Sequence, residues 1–247
     1  MHTRLKRFAQ MHGVIRPPSR LLFEHIPKCA GSTISSYLRS CYPECNTFEI
    51  DGAQPRKSIE SFLRSSESTR YGYSLIMGHG AHQLISFSHP ETIGFTVLRD
   101  PVDRIISHYY FVLKSPRHYL HQEVVSRRMS LIDYATSNLS GELRNNYVTR
   151  FIGVDAAEAE RNANESVTAV IDALRRYAVV GVTDRVSLAI EKLSKIANLP
   201  NDYSGERHNV NRGRVARDQI PQETKRLIEE VNFLDMRLYE WVRAGAP

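Results

Sequence analysis

Residues 21–42 read LLFEHIPKCAGSTISSYLRSCY, which indicates a strand, a tight loop and a helix in immediate succession. The mostly apolar stretch at residues 21–26 predicts a short buried strand. Pro27 has no N–H to give to a neighbouring strand, so the strand must end before it. The helix is predicted from apolar residues at helical spacing, which are Ile34, Tyr37, Leu38 and Cys41.

The loop between this strand and helix is suited to holding a phosphate. All of its residues except the lysine are small, so the backbone can close around an anion and direct successive N–H groups at it. The start of the helix adds unsatisfied donors and partial positive charge. An ordinary strand-to-helix turn fits the same residues, since small and hydroxylated residues favour helix starts in any case. The loop residues are Lys28, Cys29, Ala30, Gly31, Ser32 and Thr33.

The loop differs from the usual nucleotide-binding loop. The spacing G-x-x-x-x-G-K-[ST] is absent, and the lysine precedes the small residues instead of following them. The pattern therefore argues against a standard ATPase.

The composition is that of a globular chain with a full core. The 247 residues are 41% hydrophobic and 24% charged, with a net charge of +6, which favours an anionic partner. No apolar run approaches the roughly 18 residues of a membrane span, and the first ten residues are too polar for a signal peptide, so we expect a cytoplasmic protein. The three clustered cysteines predict reduced thiols and give no pattern for a metal.

A histidine between two glycines follows a second predicted strand at residues 73–77. Gly78, His79 and Gly80 come directly after this strand. His79 could lie at the carboxyl edge of a parallel sheet, where open α/β folds bind ligands. The spacing fits equally well a histidine that only turns or caps the chain.

The third predicted strand, Ile93–Leu98, leads into a helix that begins at Pro101. Asp100 suits the N-cap, and Asp103 stands where a side chain can reach back to that cap.

Arg99 and Ser107, at the strand end and two turns into that helix, suggest a second phosphate site. A guanidinium can bind a phosphate bidentately, and a hydroxyl can add a further hydrogen bond. A salt bridge to Asp103 or Asp100 is the alternative for Arg99. The alternative for Ser107 is that it is only a small residue that faces a neighbouring helix.

Strands and helices alternate over the rest of the chain. We predict a helix over 155–176, a strand at 177–182, a helix through 186–193 and a last helix over 221–241. This alternation predicts an α/β fold of three layers, P-loop-like, with a central parallel sheet flanked by helices. Residues 1–20 form a basic arm and 21–247 a single domain. The arginine-rich loop at 204–217 is long enough to be functional or disordered.

Together these motifs resemble a known family. HIPKCAGST resembles the 5′-phosphosulfate loop of sulfotransferases that use 3′-phosphoadenosine 5′-phosphosulfate (PAPS), and VLRDPVDRIISHYYF resembles their 3′-phosphate segment. The similarity is greatest to the carbohydrate branch, with the heparan and chondroitin 2-O-sulfotransferases and bacterial relatives, and extends through NNYVTRFIG, VVGVTDR and NFLDMRLYEW. Cys29 and Ala30 depart from the usual loop residues, and Met77 replaces the first histidine of a His-x-His pair, so only His79 carries over.

The resemblance implies a role for each site residue. Lys28 would neutralise the oxygens from which the sulfuryl group departs, and the loop through Gly31, Ser32 and Thr33 would hold the 5′-phosphate. Arg99 and Ser107 would bind the 3′-phosphate. Cys29 and Ala30 would complete the loop that binds the donor. His79 would take the acceptor proton. The products would be adenosine 3′,5′-bisphosphate and a sulfated hydroxyl, which the family likeness places on a carbohydrate, and no metal would be required.

Two other classes of function remain alternatives. A P-loop kinase lacks support, since neither a Walker lysine nor a clear Mg²⁺ carboxylate follows a strand. A non-catalytic binder of acidic glycans or nucleic acid would use the arginine loop, although no recognised nucleic-acid module is present. No transmembrane segment is predicted, so any membrane contact would be peripheral.

Overall fold

The structure is a computed structural model, and it describes residues 17–200, 202–203 and 215–246. Its strands are β1 Leu21–Glu24, β2 Thr47–Glu49, β3 Leu75–Gly78, β4 Ile93–Leu98 and β5 Tyr177–Val182. They form one five-stranded sheet in the order β2-β3-β1-β4-β5, and every pairing is parallel. The first strand of the chain therefore lies at the centre of the sheet.

The α-helices of the described residues surround this sheet. They are α1 Gly31–Cys41, α2 Pro55–Arg64, α3 Glu67–Gly72, α4 Pro101–Lys114, α5 His121–Ser126, α6 Leu131–Ala135, α7 Asn146–Ile152, α8 Ala156–Arg161, α9 Ala163–Leu174, α10 Val186–Ala197, α11 Gln222–Val231 and α12 Phe233–Arg243.

Helices cover both faces of the sheet because side chains alternate along each strand. Leu21 and Phe23 of β1 pack on one face with residues of α1 and α10. Val180 and Val182 of β5 pack on the other with α7, α9 and α12. The predicted three-layer α/β fold with a central parallel sheet is therefore confirmed.

The segment between the first two strands predicted from the sequence contains elements that were not predicted. Residues 46–72 contain the edge strand β2, which is only three residues long, as well as α2 and α3. Phe48 of β2 packs on Phe62, with ring centroids 4.9 Å apart. Three residues are too few to give a readable alternation, so the sequence did not reveal this strand.

Two predicted long helices are each interrupted by an asparagine. The helix over 155–176 divides at Asn162, and that over 221–241 divides at Asn232. The Asn232 amide donates to the carbonyl of Leu143, and its Oδ1 accepts from the N–H of Asn145 at 3.0 Å. These bonds favour the break because they replace helical bonds with long-range ones.

Asp235 fixes α12 against the start of α7. The side chain is fully buried, and its oxygens accept hydrogen bonds from the N–H groups of Tyr147 and Val148 at 3.0 and 3.1 Å. Burial raises the pKa of Asp235 to about 6, although Arg104 and these N–H groups act in the opposite direction. A buried carboxylate thus supplies acceptors that the first turn of α7 otherwise lacks.

Replacing Asp235 by alanine should lower the free energy of unfolding by about 2–3 kcal/mol, because buried N–H donors lose their acceptor. Asp235→Asn should lower the free energy of unfolding by less, since its amide oxygen still accepts a hydrogen bond.

The carboxyl pKa of Asp235 is higher in the fold than its ordinary 3.8, so ionisation costs stability. The stability of the wild type relative to Asp235→Asn should therefore fall as pH rises from 3.8 to about 6. Urea unfolding at several pH values measures both effects, and a constant difference would contradict the second.

Candidate active site

Three predicted site residues follow the carboxyl ends of three adjacent strands. Lys28 comes after β1, His79 after β3 and Arg99 after β4, and β3, β1 and β4 are neighbours in the sheet. Neighbouring strands are about 4.8 Å apart, so their ends share one small region. The chain leaves β1 towards one side of the sheet and later returns to the other, and ligands of open α/β sheets bind at such a point.

The loop after β1 contains two residues in the left-handed region. Lys28 has φ 67° and Ala30 has φ 60°. Such a conformation costs a residue other than glycine about 1–3 kcal/mol, and strain of this kind concentrates at functional sites. Ala30 is the N-cap of α1, where no side chain caps the helix and no acidic residue lies in the first turn. The donors at the start of α1 are therefore suited to an external anion.

Gly31, the first residue of α1, is required by the side chain of His25. A Cβ at position 31 would overlap the His25 imidazole ring. His25 also contacts His79, with ring centroids 4.3 Å apart. Burial, with a contribution from His79, lowers the pKa of His25 to about 3, so its ring is neutral near pH 7. The loop and His79 are thus packed on the same uncharged ring.

The ammonium of Lys28 lies over an aromatic ring in a largely desolvated position. Its Nζ is 3.8 Å from the centroid of Phe111, which belongs to α4. Burial and the nearby charge of Arg99 lower the pKa of Lys28 to about 8. A cation in this setting gains strongly from an approaching anion, since water screens it little.

Arg99 connects the two phosphate segments predicted from the sequence. Its Nη1 donates to the backbone carbonyl of Lys28 at 3.3 Å, and its Nη2 donates to Asp103 at 3.2 Å. The predicted alternative, a salt bridge to Asp103, is therefore present. Asp103 does not reach back to the cap, and Asp100 caps α4 by accepting from the N–H of Asp103. The Nε of Arg99 is buried with no hydrogen-bond partner among the described residues.

Ser107 lies on the same side of α4 as Asp103. Positions four apart in a helix are neighbours on its surface, so residues 103 and 107 are in line with the guanidinium of Arg99. Ser107 is half-buried. The spacing is thus compatible with the predicted pairing of Arg99 and Ser107 on one ligand.

His79 is oriented by a backbone hydrogen bond. Its Nδ1 lies within hydrogen-bond distance of the carbonyl oxygen of His25. A carbonyl only accepts, so Nδ1 must carry a proton and Nε2 is the unprotonated nitrogen of the neutral ring. This is the tautomer that a general base requires when Nε2 faces its substrate.

A family model described as the sulfotransferase family matches residues 11–242. The chain belongs to the sulfotransferase family. The match spans nearly the whole sequence, including the loop after β1, His79 and the start of α4. A search of curated proteins gave no significant match. The family assigns sulfuryl transfer to this chain and requires a sulfate donor and a hydroxyl acceptor.

The described part of this sulfotransferase contains neither a cluster of metal-ligating side chains nor a membrane-spanning helix. Within it, no group of three or more His, Cys, Asp or Glu side chains could hold a metal ion. None of the described helices has the length and apolar character needed to cross a bilayer.

Tyr147 of this sulfotransferase is a supporting residue that the sequence did not reveal. The residue is fully buried on α7, and its hydroxyl donates to the carbonyl of Arg99 at 2.6 Å and accepts from the N–H of Arg99 at 3.2 Å. The same hydroxyl lies 3.5 Å from the Sγ of Cys29. Tyr147 therefore ties the β4 end to the phosphate loop. Only its place in the motif NNYVTRFIG could have indicated this role.

A buried polar network beside Lys28 was also not predicted. His108 lies 3.2 Å from a carboxylate oxygen of Glu142, and its Nδ1 lies 2.8 Å from the hydroxyl of Tyr134. The hydrogen bond from His108 lowers the pKa of Glu142 to about 2 despite burial. Glu142 is therefore ionised, and it opposes part of the positive charge of Lys28 and of the buried Arg104, which donates to its backbone carbonyl.

The predicted arginine-rich loop lies mostly outside the described residues. Of the stretch 204–217, only 215–217 are described. Arg217 pairs with Asp100 at 2.6 Å. The end of this loop is therefore fixed one residue away from Arg99.

Proposed function

We propose that this sulfotransferase transfers the sulfuryl group of PAPS to a hydroxyl of a carbohydrate. The observation that carries the proposal is the hydrogen bond from Arg99 Nη1 to the carbonyl of Lys28, which joins two separate βα junctions at one point. A donor with phosphates at its 5′ and 3′ positions needs two anion sites on one nucleotide. The uncapped start of α1 and the guanidinium of Arg99 supply them.

In this proposal the 5′-phosphosulfate lies at the start of α1. The N–H groups of Gly31, Ser32 and Thr33 bind the 5′-phosphate, with Cys29 and Ala30 shaping the loop. Arg99 and Ser107 bind the 3′-phosphate, to which the guanidinium offers charge-assisted hydrogen bonds.

The chemistry is an in-line displacement at sulfur. The acceptor oxygen forms a bond to sulfur while the bond from sulfur to the bridging phosphate oxygen breaks, which releases adenosine 3′,5′-bisphosphate. Lys28 stabilises the negative charge that develops on that oxygen. Nε2 of His79 takes the acceptor proton. Positioning and charge stabilisation therefore account for the catalysis.

An aromatic surface beside Lys28 supports a carbohydrate acceptor. Phe111 and Tyr119 are exposed, at 41% and 64%, and the ring of His118 lies between them. Centroid distances are 5.5 Å from His118 to Phe111 and 4.7 Å to Tyr119. Such rings offer apolar faces to the C–H groups of a sugar, with polar edges for its hydroxyls. The likeness of the sequence motifs to carbohydrate sulfotransferases points the same way.

Calorimetry tests the donor class. We expect adenosine 3′,5′-bisphosphate to bind without Mg²⁺ and more tightly than ADP or ATP, because only it carries the 3′-phosphate. Tighter binding of ATP that depends on Mg²⁺ would instead identify a phosphotransferase.

Arg99→Ala should weaken binding of adenosine 3′,5′-bisphosphate by about 10–100-fold, the value of a charge-assisted hydrogen bond. Its effect on adenosine 5′-monophosphate should be much smaller, since that nucleotide lacks the 3′-phosphate. Calorimetry on both ligands gives the comparison, with the exposed Arg161 changed to alanine as a control. Equal weakening of both nucleotides would contradict the assigned contact.

A further inference from the structure

A second cavity lies apart from the proposed donor site. Its volume is about 820 Å³, and it is bounded by residues 82–92, the end of α7, the end of α9 and the start of β5. None of the residues assigned to the donor lines it. The volume is within the range of about 300–1,000 Å³ typical of small-molecule sites.

Buried polar atoms without partners are concentrated in its wall. Thr92 Oγ1, Arg150 Nε and the Tyr177 hydroxyl are buried, have no hydrogen-bond partner among the described residues, and all belong to residues that line this cavity. Each such atom costs about 1–3 kcal/mol when it is left unsatisfied. Because none of these three atoms is accessible to solvent, the donors that a ligand in the cavity can reach are the terminal guanidinium nitrogens of Arg150 and Arg176.

Tyr177 is held rigidly in this wall. It is 4% exposed, and its ring packs so closely on Gly94 that a Cβ there would come within 2.7 Å of it. The ring of Phe151 stands edge-on at a centroid distance of 6.4 Å. The packed ring of Tyr177 is therefore a fixed part of the cavity wall.

The charge of the described wall is positive. Arg150 and Arg176 both line the cavity, and the described residues form no ion pair or side-chain hydrogen bond with either. No aspartate or glutamate is among the lining residues, and the nearest buried carboxylate, Glu24, is already bound by His82 at 3.0 Å. A site with several donors and no carboxylate favours an anion.

We propose that this cavity binds an oxyanion, meaning a sulfate, phosphate or carboxylate group, with the guanidinium groups of Arg150 and Arg176 as donors. The anion is either free in solution or carried by a small organic molecule, for which the volume leaves space. The inference does not depend on the proposed donor or acceptor.

Thermal unfolding with added sulfate tests the proposal at constant ionic strength. The protein is saturated with adenosine 3′,5′-bisphosphate so that the loop after β1 is occupied, and the titration is repeated on Lys28→Ala so that the result does not depend on the nucleotide. Sulfate at roughly ten times its Kd should raise Tm by about 3–6 °C. The shift should be lost in Arg150→Gln, reduced in Arg176→Gln, and kept in Arg175→Gln. Arg175 is a matched control because it is exposed and pairs with Asp172 at 2.8 Å.

Each outcome of the titration decides the matter. Phosphate and a monosaccharide sulfate are compared with inorganic sulfate in the same way. Action of the sugar sulfate at a tenfold lower concentration would assign the site to a carried anion, and equal action would assign it to the free ion. The absence of a shift with every anion, or a shift that persists in Arg150→Gln and Arg176→Gln alike, would overturn the proposal. Arg176 is exposed, so its variant should fold even if Arg150→Gln does not.

Discussion

Lys28→Ala should reduce turnover by about 10³-fold, the upper range for loss of one group that stabilises transition-state charge. In the proposed mechanism the ammonium lies beside the oxygen from which the sulfuryl group leaves, and its position is largely shielded from water. The fold should remain intact, because alanine at the left-handed position 28 carries the same Cβ as lysine. Steady-state kinetics and circular dichroism measure the two effects. The exposed Lys192 on α10, changed to alanine, is the matched control.

The pH dependence gives a second measure of Lys28. Its pKa is lowered to about 8 by burial and by Arg99, so the ammonium is charged below that pH and neutral above it. The value of kcat/KM, which reports the free enzyme, should therefore fall as pH rises through about 8. Lys28→Arg should lose this limb, since a guanidinium stays charged. Near-normal turnover of Lys28→Ala, or an unchanged limb in Lys28→Arg, would remove Lys28 from the mechanism.

His79→Ala should lower turnover by about 10²-fold or more, as expected when a general base is removed. Affinity for adenosine 3′,5′-bisphosphate should change little, because His79 is assigned to the acceptor and not to the donor. Added imidazole should restore part of the activity of His79→Ala by taking the vacant place. Single-turnover kinetics with and without imidazole separate the chemical step from binding.

Two further variants distinguish a base from a structural histidine. His79→Asn keeps a donor for the carbonyl of His25 but has no basic nitrogen, so it should be as inactive as His79→Ala. His121→Ala is a matched control, since the Nδ1 of His121 also lies at a backbone carbonyl, that of Val112 at 2.8 Å. An unchanged rate in His79→Asn would mean that the ring only positions its neighbours.

Strong local patterns allowed most strands of the central sheet and the start of α4 to be predicted from the sequence. The strands at 93–98 and 177–182 are apolar runs bounded by clear breaks, and they were predicted at their observed limits. The start of α4 was predicted from Asp100, which suits an N-cap, and from Pro101, which suits the first helical position. The edge strand β2 and the break at Asn232 depend on distant partners, and no local pattern reports them.

The same limit applies to the site. The grouping of Lys28, His79 and Arg99 could be predicted because each lies within four residues of the carboxyl end of a strand, and parallel strands bring such positions together. His25, Tyr147 and Glu142 were missed because their functions depend on contacts across the fold. Tyr147, for example, reaches Arg99 from 48 residues further along the chain. Their roles need coordinates, since spacing carries no sign of them.

The His25 ring beside Gly31 links two parts of the protein that a designer would wish to alter separately. Any larger residue at position 31 would have to displace that ring. The ring is also the neighbour of His79, whose Nδ1 is held by the His25 carbonyl. Grafting a different loop onto this scaffold would therefore disturb His79 as well, and the loop and the histidine pair would have to be exchanged as one unit.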